Sequence, residues 1–275
     1  MLLKASENRV LYILWLISSA LTFVAAVVGL LQREIYSRVI TADILPAVVG
    51  QDLISLLASI LIFLLLFRLK KEDIGKQTII LGLLGYLFYA YGIYVIERVY
   101  TIFYYLYLAI FSLSFWTIIY SLAQLPGETL SRASLPRGMR QVSAGFSLFI
   151  ALVFIGLWTS QLFPLIQQGQ KIEFFYSIYI LDLCFIMPAF LIVGFLLLQR
   201  KALGILLAPA LFILGFTLIF SLAVSEVLKL YFKSEVELGG IGPSLVLSAL
   251  FLILAYFHLR KMKINHQGQK EKNMA

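Results

Sequence analysis

Two aspartates stand where a carboxyl is costly. Asp52 lies in the first third of "VVGQDLISLLASILIFLLLF" and Asp182 near the start of "YILDLCFIMPAFLIVGFLLL", stretches otherwise apolar enough to cross a bilayer. A carboxylate in hydrocarbon costs several kcal/mol unless it is paired, protonated or hydrated, so each position calls for a polar partner, a proton or water. Ser55 and Ser59 follow Asp52 by three and seven residues, which puts two hydroxyls on its helical face. In the second stretch Pro188 has no amide donor, so the carbonyl of Cys184, half a turn past Asp182, is left free or bent away. A carboxylate beside a released carbonyl suits a cation or a proton. Two further acids, Glu97 and Glu226, close the third and seventh apolar stretches, and Tyr86, Tyr89 and Tyr91 lie near mid-depth, where a phenol needs a hydrogen-bond partner.

The residues assigned to substrate or ion binding are therefore Asp52, Asp182, Ser55, Ser59, Glu97, Glu226 and Tyr89. Two readings stay open. In one, the acids line a cavity open to the outside that binds a proton, a cation or a cationic solute. In the other they serve the fold alone: Glu97 pairs with Arg98, Glu226 pairs with Lys229, the aspartates cap helices or reach up to water, and the tyrosines pack with local bonds to carbonyls.

The elements that must hold these residues follow from composition. With 61% hydrophobic and 13% charged residues, the chain cannot cover the surface of a soluble globule of its size. A hydrocarbon core about 30 Å thick needs about 20 apolar residues per helix. Eight stretches qualify: 10–31, 46–67, 78–98, 100–124, 142–166, 174–199, 203–226 and 241–259. The third and fourth are parted only by "ERVY". The first is longer than the apolar core of a cleavable leader and is read as a retained helix. The expected fold is an all-α, polytopic membrane bundle of eight transmembrane helices.

Orientation follows from lysine and arginine placement. With a cytoplasmic N-terminus, the inner segments hold 16 of these residues and the outer ones only 6, namely Arg33, Arg38, Arg98, Lys171, Lys229 and Lys233. Both termini should then face the cytoplasm of a prokaryotic cell, with the protein in its plasma membrane. The net charge of +8 is explained by this topology, and no nucleic-acid partner is expected. The tail "HLRKMKINHQGQKEK" reads as a solvated end that touches anionic headgroups. On this topology Asp52 lies 16 residues before Arg68 and Asp182 lies 18 before Arg200, roughly 24 and 27 Å from the inner boundary, so both sit in the outer leaflet.

The rare acids also recur in register. Asp52 precedes Gly75 by 23 residues and Asp182 precedes Gly204 by 22, and each glycine is followed 22 residues later by a glutamate, Glu97 or Glu226. Four spans per half make the halves parallel repeats about an axis along the membrane normal. Residues 1–125 form the first four-helix repeat, 126–141 a cytoplasmic linker, 142–260 the second repeat and 261–275 the basic tail. Ala58 matches Pro188, so the two halves need not form a symmetric site.

The succession of "GQDL", a basic turn ending in "IG", "LLGYLFYAYGIY", "LDLCFIMPA" and "QRKALG" resembles a group of uncharacterised prokaryotic multi-pass membrane proteins, over roughly residues 46 to 225. The resemblance implies the topology and marks the two aspartate motifs. It implies no substrate.

Absences narrow the chemistry. The histidines are His258 and His266, at or beyond the inner end of the last span, so a bis-histidine haem, a histidine zinc hydrolase and a Ser/His intramembrane protease lack their parts. The lone Cys184 forms neither an internal disulfide nor a multi-cysteine metal site. Paired membrane aspartates are the apparatus of intramembrane aspartyl proteases, but "VVGQD" and "YILD" lack the glycine-x-glycine-aspartate element. No cofactor is expected. The leading expectation is a transporter or ion-coupled carrier. The alternatives are an outer-leaflet enzyme using paired aspartates and a non-catalytic partner or sensor subunit. Beyond the lipid bilayer, no particular solute, ion or oligomeric partner is specified.

Overall fold

Among the described residues, eight long helices carry the chain back and forth. The computed structural model describes residues 9–67, 69, 73–125, 133–172, 174–232 and 238–264. The helices are α1 (Arg9–Leu31), α2 (Leu45–Phe67), α3 (Ile74–Ile96), α4 (Tyr104–Ala123), α5 (Arg137–Gln168), α6 (Tyr176–Leu198), α7 (Ala202–Phe232) and α8 (Leu238–Lys261). Each is long and apolar enough to cross a bilayer. Helices satisfy every backbone polar group internally, which hydrocarbon demands. The chain is a multi-pass membrane protein.

Three helices end in the same backbone device. After α3, Arg98 takes a left-handed φ of 58°, and Val99 N–H donates back to the carbonyl of Tyr94. After α5 and α6, Gly169 (φ 62°) and Arg200 (φ 60°) do likewise, followed by bonds from Gln170 to Leu165 and from Lys201 to Leu196. Such turns satisfy terminal carbonyls and reverse the chain in few residues, which is how "ERVY" separates two crossings.

Boundaries differ from expectation at the polar ends. α5 begins at Arg137, inside the linker placed at 126–141, because Pro136 at its N-cap starts a helix whose first turn carries Arg137 and Arg140 rather than apolar residues. Linker residues 126–132 and tail residues 265–275, with His266, lie outside the described residues. So do Lys4, Arg68, Lys70, Lys71, Arg132, Lys233, Lys270 and Lys272 among the cations that set the expected orientation. Ala133–Ser134 pairs antiparallel with Lys263–Ile264, tying the segment before α5 to the one after α8.

α1 packs on α2 and α4, and α3 on α4; in the second half α5 packs on α6 and α8, and α7 on α8. Between the halves α3 meets α7 and α6, and α2 meets α7. Small residues permit the central contact. A Cβ on Gly82 would come within 2.6 Å of the Ala210 carbonyl oxygen, and one on Gly85 would press into Leu214. These contacts enclose α3 and α7 most fully.

α6 is interrupted at Asp182–Ile186 by a π-helical turn. The cause lies one turn on: Pro188 cannot donate to the Cys184 carbonyl, and a wider turn takes up the missing bond. The interruption begins at Asp182.

Candidate functional site

Asp52 is enclosed. It projects from α2 with 1% of its surface exposed, and two phenols hold it. Tyr36, in a short 3-10 turn (Arg33–Tyr36) after α1, donates to Oδ2 at 2.7 Å. Tyr94 of α3 donates to Oδ1 at 2.8 Å, and its hydroxyl lies 3.2 Å from the Val48 carbonyl. Gly29 of α1 makes room, since a Cβ there would collide with both the Asp52 carboxyl and the Tyr36 hydroxyl. Burial and the adjacent carboxyl push the Tyr36 phenol well above its ordinary pKa, so it remains a donor. Tyr107 closes the cluster, its ring 5.0 Å from that of Tyr94 and its hydroxyl taking a bond from Thr101 at 3.2 Å. Among the described residues Asp52 has no cationic partner.

Asp182 is held differently. Trp158 of α5 donates its indole N–H to Oδ2 at 2.7 Å, and the Tyr89 phenol of α3 also meets the carboxyl. Ala223 of α7 stands three residues before Glu226, as Tyr94 of α3 stands before Glu97, and carries no phenol.

The remaining candidates divide. Ser55 meets Tyr86 at 3.4 Å, and the Tyr86 hydroxyl donates to the Gln51 carbonyl at 3.1 Å. Ser59 donates to Leu56 O at 2.7 Å and its own carbonyl receives Ser19 at 2.9 Å, so it joins α1 to α2. Glu226 forms an ion pair with Lys229 at 2.8 Å. Glu97 does not take the expected partner: its Oε1 accepts the Ser177 backbone N–H at 2.8 Å, while the Arg98 guanidinium lies over the Tyr176 ring, 5.9 Å from its centroid. The left-handed backbone at Arg98 carries that side chain away from its neighbour.

A cavity of about 290 Å³ lies between the two groups of four helices. Its wall is mostly apolar, with polar groups from Gln51, Tyr86, Tyr89, Tyr94, Glu97, Trp158, Asp182, Ser221 and Ser225. The exposed Phe175 and Leu222 also belong to it, so it reaches the surface. Asp52, Ser55, Ser59 and Glu226 do not line it. Of the two aspartates Asp182 alone lines the hollow, and Asp52 is joined to it through Tyr94. Two carboxyls that do not share a wall are not placed to share a proton.

Sequence reasoning missed Tyr36 and Trp158, which lie far from their aspartates along the chain. It also missed a buried contact at the other end of the bundle. There His258 sits between Ser143 and Ile205, at 2.9 Å from each. The Ile205 carbonyl can only accept, which assigns the proton to Nε2 and leaves Nδ1 to receive the Ser143 hydroxyl. Among the described residues no three His, Cys, Asp or Glu side chains gather as a metal site. Compared with protein-family models, curated proteins and solved structures, the chain matches none.

Proposed function

We propose that the protein is a membrane carrier whose cavity binds a small, largely apolar solute bearing a cationic group, anchored by the Asp182 carboxyl. One observation carries the reading: a cavity of about 290 Å³, near the lower size of small-molecule sites, has the Asp182 carboxyl in a mostly apolar wall. Trp158 and Tyr89 orient that carboxyl, as preorganised donors do in binding sites. The π-helical turn at Asp182 adds to this, because such turns gather at functional sites.

A carrier rather than a fixed receptor is favoured by where the cavity lies. In many carriers the solute sits at the interface of two repeats that rock about it. Several helix pairings have a counterpart when α1–α4 are exchanged with α5–α8: α1 on α2 with α5 on α6, α1 on α4 with α5 on α8, α2 on α7 with α6 on α3. With the register of the four acids, this supports two parallel repeats. The 16 to 6 charge bias supports termini on the cytoplasmic side of a plasma membrane. The cavity then faces outward, and the resemblance to the prokaryotic multi-pass group becomes one of shared architecture.

The test is uptake of pentyltrimethylammonium, which carries a permanent charge, into proteoliposomes. Wild-type protein is expected to admit it, while Asp182→Asn and the cavity-filling Leu218→Trp lose most of the flux. Uptake equal to that of protein-free vesicles, or indifferent to both variants, overturns the carrier reading.

A further inference from the structure

We propose that the cavity is two-ended and that its ligand is a linear aliphatic diamine, with one ammonium at Asp182 and the other at Glu97. The inference rests on the reading of the cavity as a cation site and narrows its ligand class. Glu97 is more than nine-tenths buried and lines the cavity. Its Oε1 is committed to the Ser177 N–H, but Oε2 has no hydrogen-bond partner. Buried polar atoms are nearly always paired, and one that is not calls for an explanation. That oxygen is enclosed and unmatched in a residue that borders the hollow, and an ammonium drawn in from the hollow would answer it.

The spacing identifies that donor. Glu97 is pinned to Ser177 at the start of α6, and Asp182 stands five residues further along the same helix, about 7.5 Å lower at 1.5 Å per residue. One metal ion cannot be ligated by both carboxyls across that gap, because metal–oxygen bonds are about 2.0–2.6 Å. Along the chain between the two levels the cavity-lining residues Ile93 of α3 and Ile178 of α6 are apolar. A chain with a charge at each end and methylenes between matches this sequence of surfaces. Bonds of about 1.5 Å advance roughly 1.25 Å each along an extended chain, so the nitrogens of 1,5-diaminopentane stand about 7.5 Å apart, matching the rise from Ser177 to Asp182. Arg98, the nearest cation in sequence, is exposed and turned to Tyr176, so it leaves Glu97 open to a ligand.

The experiment is titration calorimetry on the full-length protein in detergent with 1,3-diaminopropane, 1,5-diaminopentane, 1,8-diaminooctane and the one-ended control pentylamine. The expected result is binding of 1,5-diaminopentane about tenfold tighter than pentylamine, with both other diamines weaker. Glu97→Gln should erase that advantage. With 1,6-diaminohexane added to the series, Glu97→Asp, which retains the charge on a shorter arm, should move the optimum to that longer diamine. If pentylamine binds and no diamine binds more tightly, the two-ended site is wrong and the cation site stands. If neither binds, both are wrong. The chain-length series on wild-type protein decides the matter even where a variant fails to fold.

Discussion

Tyr94 joins the cavity to a carboxyl that does not enter it: its ring stands in the cavity wall while its hydroxyl donates to Asp52 at 2.8 Å. A phenol placed this way cannot shift without loosening Asp52, and Tyr36 holds the other oxygen of the same carboxyl. The clamp therefore fixes three elements at once: the turn after α1, α2 and α3.

Removing either phenol oxygen should weaken the fold. Tyr94→Phe and Tyr36→Phe are each expected to cost about 1–3 kcal/mol, the usual penalty for leaving a buried acceptor unmet. Their double variant should depart from additivity, because both act on one carboxyl. Denaturant unfolding in detergent measures all three. Additive losses would mean that the two bonds act independently.

Gly29 offers a separate check on the same cluster. Gly29→Ala places a methyl against the Asp52 carboxyl and the Tyr36 hydroxyl, so a loss of about 1–3 kcal/mol is expected from overpacking. In an Asp52→Ser background the shorter side chain leaves room, and most of that loss should vanish. A penalty of equal size in both backgrounds would place the strain elsewhere.

At the opposite end of the bundle, Ser143, His258 and Ile205 staple α5, α8 and α7. His258→Phe keeps the ring but removes both nitrogens, and should cost about 1–3 kcal/mol. Ser143→Ala removes only the hydroxyl that donates to Nδ1, and should cost less. Thermal unfolding of purified variants gives the order. Equal stability of His258→Phe and wild type would show that the staple contributes nothing.

The close approach of α3 to α7 rests on Gly82. A Cβ there meets the Ala210 carbonyl oxygen at 2.6 Å, a backbone atom that cannot turn aside. Gly82→Ala should therefore lower the unfolding midpoint more than Gly75→Ala, where nothing lies within 4 Å. Equal midpoints would contradict tight packing between the halves.

The eight crossings were legible because hydrocarbon imposes length and composition directly on the sequence, and the break in α6 because Pro188 removes one identifiable donor. Within α3, Gly82 and Gly85 admit α7, and Gly92 lies against Phe111 and Leu181. Partners were not. Tyr36 lies in a connection whose return to Asp52 depends on how α1 packs on α2, and Trp158 reaches Asp182 only through the packing of α5 on α6. The shared spacing of the acids made Asp52 and Asp182 look alike, but Tyr36 and Tyr94 hold the one and Trp158 holds the other. Glu226 took its expected neighbour Lys229, whereas Glu97 accepts an amide from another helix.

The most direct measurement is the binding of pentylamine and of its neutral counterpart pentanol to wild-type protein and to Asp182→Asn by titration calorimetry. If the Asp182 carboxyl anchors a cation in the cavity, wild type binds the amine about tenfold or more tightly than the alcohol, and Asp182→Asn removes that preference while still binding the alcohol. Equal affinity for the two compounds in wild type, or a preference that survives in Asp182→Asn, contradicts the account.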